Sequence, residues 1–313
     1  MKKIITLILF FNVVIAATAQ LTYHELKVEY DSVWTFKKLQ IIPIKFKPEN
    51  NLQQSNATVP AEIISLKEAM HSGKIVVKEV LFNHGADVNV LVIKNNSKQH
   101  VLIIDGELIS GGKQDRIVAE TILIPPGKEE NYVAVFCAEK GRWDNKAKAF
   151  VYEGMADAGL RKKVDILHRQ TEVWKEIEQQ FSANNKKAET WPYIQLHKQM
   201  QAEDSAYLQY FIDQYKLTDS SFAGFAAVTG NRIIGCEVFA SLTYTQHFFK
   251  EIIIGYIHSL TKTDEAPSVT RKDCEHFFDE LFANESSQKQ FLATHGKADK
   301  FNGKVIHLIA YGE

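Results

Sequence analysis

The arrangement of the strand-rich part of this chain depends on the stretch RIVAETILIPPGKEENYVAVF, residues 116–136. Two runs rich in Val and Ile, at 116–124 and 131–136, flank the turn sequence Pro125-Pro126-Gly127. Apolar runs on either side of a Pro/Gly turn predict an antiparallel hairpin. Such a hairpin would bring the residues near 116 and those near 139 to the same end of a sheet.

Short apolar runs continue toward the N-terminus and predict further strands at 39–44, 75–82, 88–94 and 100–105. Between the first two, Ser65 and Glu68 have the spacing of a capping box, which predicts a short helix that ends at Gly73. We therefore expect residues 20–143 to form a mostly antiparallel β-sheet, sandwich-like or barrel-like.

After Trp143 the apolar residues recur at steps of three and four, which predicts an amphipathic helix over 160–181. Further helices are predicted over 194–215, 242–260 and 272–282. A hairpin over 222–239 turns at Gly230-Asn231, and a closing strand covers 305–310. Residues 144–313 are thus a helix-rich half with a β-hairpin and a closing strand. The expected class is α+β, with both halves packed as one compact unit.

Composition excludes several classes of protein. The 313 residues are 45% hydrophobic and include 37 basic and 38 acidic side chains, so the chain is neither disordered nor an electrostatic nucleic-acid binder. The motifs of phosphate loops, dinucleotide folds and zinc proteases are absent, and the eleven histidines show no metal-ligand spacing. We expect no cofactor and no metal. His307, inside the closing strand, is the histidine of most interest, and Cys137, Cys236 and Cys274 are expected to be buried thiols.

The first nineteen residues have the pattern of a signal peptide. Two lysines precede an apolar run at 4–16, and Ala17-Thr18-Ala19 supplies small residues before a cleavage site. The alternative is a retained anchor, although the run is short for a bilayer, which needs about 20 residues. Cleavage near Ala19 predicts a periplasmic or secreted protein without a membrane anchor, and changes the formal net charge from −1 to −3.

Chemically versatile residues concentrate in the sequence GELISGGKQDR, residues 106–116. Gln114 and Arg116 are two residues apart, so both would point to one face of an extended strand. Arg116 could hold a phosphate or carboxylate bidentately, with Lys113 as a second cation. Glu107 could act as a general base or orient the arginine. The alternative is a polar loop whose Glu and Arg satisfy each other.

A second polar cluster, CAEKGRW, occupies residues 137–143. Glu139, Arg142 and Trp143 offer an acid, a bidentate cation and a stacking surface, which together suit a base or a sugar. The alternative is structural: Trp143 would close the core while Arg142 caps a neighbouring helix.

Both clusters carry a resemblance to a known family. Gly106-Glu107-Leu108, Lys113-Gln114-Asp115-Arg116 and the 137–143 stretch resemble motifs of the ADP-ribosylglycohydrolase and rhodanese-phosphatase-superfamily associated protein domain. Family members typically have Asn, Val and Gln where this chain has Asp115, Ala138 and Lys140. The acidic Asp115 could pair internally with Arg116. The resemblance implies no defined reaction, only association with enzymes of ADP-ribose and phosphate chemistry.

Three interpretations follow for function. In the first, Lys113, Gln114, Arg116, Arg142 and Trp143 bind a small anionic ligand such as a nucleotide, ADP-ribose or a sugar phosphate. In the second, a hydrolase cleaves a glycosidic or phosphoester bond with Glu107 or Glu139 as its base. In the third, both clusters serve structure or protein interaction alone.

Overall fold

The computed structural model describes residues 21–48, 60, 62–82, 85–127, 129–141, 148–184, 186, 190 and 192–312. The predicted leader at 1–19 lies outside these ranges, as do Arg142 and Trp143. No helix among the described residues combines the length and the hydropathy needed to cross a bilayer.

Strands and helices are interspersed along the chain. The strands are β1 (Leu26–Val28), β2 (Trp34–Phe36), β3 (Leu39–Phe46), β4 (Ile63–Ser65), β5 (Ile75–Phe82), β6 (Gly85–Asn95), β7 (His100–Ile103), β8 (Glu107–Gly112), β9 (Arg116–Val118), β10 (Ile122–Ile124), β11 (Glu130–Cys137), β12 (Lys148–Met155), β13 (Phe222–Thr229), β14 (Arg232–Phe239), β15 (Gly296–Phe301) and β16 (Lys304–Tyr311). The helices are α1 (Leu66–His71), α2 (Ala158–Lys162), a π-helical turn (Lys163–Leu167), α3 (Gln170–Ala183), α4 (Tyr193–Lys216), α5 (Leu242–His258), α6 (Arg271–Phe282) and α7 (Glu285–His295). The predicted α+β class is confirmed.

The largest sheet contains strands from both ends of the sequence. Its order is β1-β3-β13-β14-β16-β15, with β2 also paired to β3, and its pairs are antiparallel. The predicted Gly230-Asn231 hairpin is confirmed and lies at its centre, with Thr229 opposite Arg232. Because β1–β3 and β13–β16 share one sheet, the strand-rich and helix-rich halves are joined by main-chain hydrogen bonds.

The remaining strands form two smaller sheets that pack face to face. One is six-stranded, in the order β12-β8-β9-β11-β6-β5, and the other is β10-β7-β4. Apolar residues from both, such as Val101 and Ile103 against Leu91 and Val133, form a buried layer between them. Alternate residues of the small sheet, such as Leu102 and Ile104, join the core around α5 on its other side. This arrangement is the sandwich-like part of the fold.

The hairpin predicted over 116–136 is confirmed at its open end and differs near its turn. Arg116 pairs with Cys137 and Val118 with Val135, but residues 122–124 pair with β7 in the other sheet. The continuous strand predicted over 116–124 is interrupted at 120–121, because side-chain hydrogen bonds there take the place of backbone hydrogen bonds between strands. The Glu120 carboxylate accepts the Ala134 N–H at 3.0 Å, and the Thr121 hydroxyl donates to Asp105 at 2.6 Å.

Helices pack on both faces of the seven-stranded sheet, and α5 lies between that sheet and the three-stranded one. Helix α5 packs on one face of the seven-stranded sheet, and α6 and α7 pack on the other. The helix predicted over 160–181 is two helices separated by the π-helical turn, because His168 adopts a left-handed conformation at φ 47°. Its predicted apolar face is nevertheless buried, and Leu160, Val164 and Ile177 pack against the six-stranded sheet. The capping box at Ser65 is confirmed as well.

Gly106 forms the turn between β7 and β8 and lies directly against Arg161 of α2. Its φ is 83°, and a Cβ built there would lie 2.5 Å from Arg161 Cγ. Gly303, with φ 78°, has the same backbone requirement, but a Cβ there meets no described atom within 4 Å. Comparing alanine substitutions at these two glycines therefore separates the cost of backbone strain from the cost of a steric clash with Arg161.

We expect Gly106→Ala to destabilise the protein far more than Gly303→Ala. The control substitution costs about 1–2 kcal/mol of left-handed strain. Gly106→Ala adds the displacement of a buried, ion-paired arginine, which brings the total to roughly 4–6 kcal/mol. Urea unfolding of both variants measures the difference. Equal losses of unfolding free energy would show that the Arg161 side chain moves away from the added methyl group without a loss of stability.

Candidate functional site

Arg116 is the centre of the site that the sequence predicted. It has no exposed surface, and the β9–β11 pairing places it opposite Cys137. Its Nη1 donates to Gln114 Oε1 at 3.3 Å, and the Cys137 thiol donates to the same oxygen at 2.8 Å. Gln114 and Arg116 therefore lie together, as expected. Asp115 meets the arginine through its backbone carbonyl, at 3.4 Å, while its carboxylate accepts the Gly111 N–H at 3.2 Å.

A glycine turn borders this arginine and carries an additional carboxylate. Gly111 and Gly112 have φ values of 116° and 55°, which direct the following N–H groups inward. The Lys113 N–H donates to Glu79 Oε1 at 2.9 Å, and the same oxygen lies 3.5 Å from Arg116 Nη2. Sequence reasoning did not select Glu79. It comes from β5, which the curl of the six-stranded sheet brings to this turn.

The guanidinium of Arg116 is incompletely paired. Neither Nε nor Nη2 has a hydrogen-bond acceptor among the described residues, and both atoms are buried. Together these nitrogens form the edge with which arginine holds phosphates and carboxylates bidentately. Burying a polar group without a hydrogen-bond partner normally costs free energy. This edge is therefore the part of the site at which we expect a ligand to bind.

The second predicted cluster is described only in part. Cys137 is tied to Gln170 at the start of α3, since its N–H donates to the Gln170 side chain at 2.7 Å. Glu139 is buried, with 4% of its surface exposed, and accepts the Thr190 hydroxyl at 2.8 Å. Arg142 and Trp143 lie outside the described residues, so their part in binding stays a prediction.

Glu107 lies in the protein interior. Its Oε2 accepts the Ile104 N–H at 3.0 Å, and only 1% of the residue is exposed. Burial, with a further contribution from the charge of Glu251, raises the pKa of Glu107 well above its usual range. A carboxyl that solvent and substrate cannot reach is unsuited to the general-base role considered for it.

A buried network of charges joins the β7–β8 turn, the π-helical turn and the large sheet. Arg161 pairs with Glu237 through both terminal nitrogens and lies 3.6 Å from Asp105. His307, at the centre of β16, lies 3.1 Å from both Glu237 and Asp299. Its position inside an apolar strand was the one sign of the network in the sequence.

Lys297 completes the network on its carboxylate side. Its Nζ lies 3.0 Å from Asp105, 3.3 Å from Asp165 and 3.4 Å from Asp299. Burial and the charge of Asp105 raise the pKa of Asp165 well above its usual range. Burial opposes ionisation of Asp105, but Lys297, Arg161 and His307 outweigh it and hold the pKa of Asp105 well below its usual range.

The same carboxylates could in principle hold a metal. One ligand atom each from Asp105, Asp299 and His307 lies within 4.8 Å of the others. The Lys297 ammonium, however, already contacts both aspartates and supplies the positive charge that a cation would bring. Arg161 and His307 bring two further positive charges to the same carboxylates.

A cleft of about 420 Å³ opens elsewhere, beside the Gly230 hairpin. It is lined by residues 229–232 and by the loop at 263–268, and Arg232 there is paired with both oxygens of Asp264. None of the predicted site residues lines this cleft. The three cysteines do not line it either, and each is a buried, free thiol, as expected.

Protonated His307 should make stability depend on alkaline pH. Burial lowers its pKa, but hydrogen bonds to Asp299 and Glu237 outweigh burial and raise the pKa to about 9, from 6.5. Because the folded-state pKa is the higher one, the stabilisation is complete below pH 6.5 and is lost as the pH rises through 9. The whole effect is roughly 3 kcal/mol.

We expect His307→Gln to flatten the dependence of unfolding free energy on pH between 6.5 and 9.5. Urea unfolding at both pH values measures it, with His276→Gln as the control because His276 is exposed on α6. Profiles that stay parallel in the wild type and His307→Gln would contradict the assignment of a charged His307.

Comparison with known proteins identifies the family. A family model, the ARG and Rhodanese-Phosphatase-superfamily-associated Protein domain, matches residues 27–311. No curated protein and no solved structure matches the chain. The matched range includes all three sheets, the Arg116 site and the buried network. The chain therefore belongs to the ARG and Rhodanese-Phosphatase-superfamily-associated Protein domain family.

Proposed function

We propose that this protein is a binding module for a small anionic ligand, held by Arg116. The observation that carries the proposal is the buried edge of that guanidinium, whose Nε and Nη2 find no hydrogen-bond acceptor among the described residues. A phosphate placed there would gain charge-assisted hydrogen bonds away from water, where they are strongest.

The surrounding groups suit the same ligand. Gln114 fixes the arginine by accepting from Nη1, and the glycine turn aims the Lys113 N–H at the same region. Successive backbone N–H groups in a glycine-rich turn form a common anion-binding element.

Family membership supports a phosphorylated or ADP-ribosylated ligand. The family is named for its association with ADP-ribosylglycohydrolases and rhodanese-phosphatase-superfamily proteins. A nucleotide, ADP-ribose or a sugar phosphate contains the phosphate or ADP-ribose group that these two associations suggest. The hydrolase alternative has weaker support because Glu107 is buried, and Glu139 is buried and accepts a hydrogen bond from Thr190.

The test is calorimetric titration of the full chain with inorganic phosphate, AMP, ribose 5-phosphate and ADP-ribose. We expect at least one of these anions to bind, and Arg116→Lys to weaken it by about tenfold or more, because lysine keeps the charge but loses the bidentate edge.

Arg232→Lys is the matched control, since Arg232 lines the cleft beside the Gly230 hairpin and is paired with Asp264. A loss of affinity in Arg232→Lys but not in Arg116→Lys would move the binding site to that cleft. If no anion binds and Arg116→Lys only lowers the unfolding free energy, the polar cluster is structural.

A further inference from the structure

Glu79 lies where the ligand of the Arg116 site would place its own negative charge. Its Oε1 accepts the Lys113 N–H at 2.9 Å and faces Arg116 Nη2 at 3.5 Å. The fit is close, because a Cβ on Gly112 would lie 2.9 Å from that oxygen. The glycine turn thus already holds a carboxylate of the protein itself.

The contact between Glu79 and the arginine is a weak one. Charge-assisted hydrogen bonds between a guanidinium and a carboxylate are roughly 2.7–2.9 Å long. At 3.5 Å the Glu79 oxygen makes an ion pair without a hydrogen bond, and Arg116 Nε has no acceptor at all. An anion with more than one oxygen to offer could satisfy Nε, Nη2 and the Lys113 N–H together.

The position of Glu79 in the sheet allows it to leave. Strand β5 is at the edge of the six-stranded sheet, paired to β6 alone. Its pairing shifts register between Glu79, opposite Leu91, and Val80, opposite Asp87. A register shift of this kind changes the direction in which a side chain points. The Glu79 side chain is also 7% exposed, whereas that of Arg116 is fully buried, so of the two partners Glu79 is the one that reaches the surface.

We propose that Glu79 is a specificity-determining residue that competes with the ligand for Arg116, and that the group which displaces it is a terminal phosphate. The inference rests on the proposed function. Among the described residues, Lys113 and Arg116 lie near Glu79 and Asp115, two charges of each sign. When Glu79 leaves, the described part of the site gains one unit of positive charge. A terminal phosphate carries about −1.5 to −2 at pH 7 and offers three terminal oxygens, whereas a carboxylate only repeats the charge and the two oxygens of Glu79.

Competition of this kind lowers the apparent affinity by the fraction of molecules in which Glu79 has left the site. Removing its charge should therefore strengthen binding, the opposite of what the loss of a ligand contact would do. Glu79→Gln is the sharpest variant, because it keeps the size of the side chain. Glu130→Gln is the control, since Glu130 is an exposed carboxylate of the same sheet, paired with Lys94.

The experiment is titration of wild type, Glu79→Gln and Glu130→Gln with inorganic phosphate, ribose 5-phosphate and acetate. We expect Glu79→Gln to bind both phosphates about tenfold more tightly than wild type, Glu130→Gln to match wild type, and acetate to bind wild type more weakly than phosphate. If wild type binds and Glu79→Gln binds equally or less tightly, Glu79 is not a competitor and the inference fails. If acetate binds wild type as well as phosphate does, the phosphate preference fails.

Two further results keep the inference separate from the proposed function. Absence of binding in both wild type and Glu79→Gln overturns the proposed function itself. Should Glu79→Gln not fold, Glu79→Asp withdraws the carboxylate by one methylene, about 1.5 Å. It should then bind phosphate more tightly than wild type by a smaller factor. Equal or weaker binding by Glu79→Asp would overturn the inference as well.

Discussion

The buried ion pair between Arg161 and Glu237 connects helix α2 and the β7–β8 turn to the seven-stranded sheet. Glu237 lies in the centre of the seven-stranded sheet, and Arg161 lies in α2 beneath the β7–β8 turn. Removing one partner of a buried ion pair leaves the other charge uncompensated in the protein interior, where water cannot solvate it. Asp105, Asp165, Asp299, His307 and Lys297 extend the pair into one network of ionisable side chains. The turn, the π-helical turn and β15 are therefore held in one mutual arrangement.

The same physics explains why the two buried arginines have different roles. Arg161 has one bidentate carboxylate partner and a second at 3.6 Å, so its charge is compensated by the protein. Arg116 has one carboxylate at 3.5 Å and shares its remaining contacts with neutral groups, Gln114 and Cys137. Arg161 Nε also has no acceptor among the described residues, but both terminal nitrogens of Arg161 contact Glu237. The weaker compensation of Arg116 is the basis on which we propose that it binds an anion.

Local patterns predicted the parts of the structure that local sequence controls. The 116–136 hairpin correctly joined Arg116 to the start of the second cluster, because a turn and two apolar runs determine the pairing over twenty residues. Glu79 could not be predicted, since its contact depends on how far the six-stranded sheet curls. The buried network was equally hidden, because Asp105 and His307 are 202 positions apart and each is unremarkable among its neighbours.

The curl of the sheet also couples binding to stability. Glu79 links the edge strand β5 to the turn between β8 and β9, which lies across the curled sheet from it. A ligand that displaces Glu79 removes this link and replaces it with contacts from the ligand to Arg116 and Lys113. The free energy of binding therefore includes the cost of breaking the side-chain contacts of Glu79 with the Lys113 N–H and Arg116, while the backbone pairing of β5 with β6 stays intact.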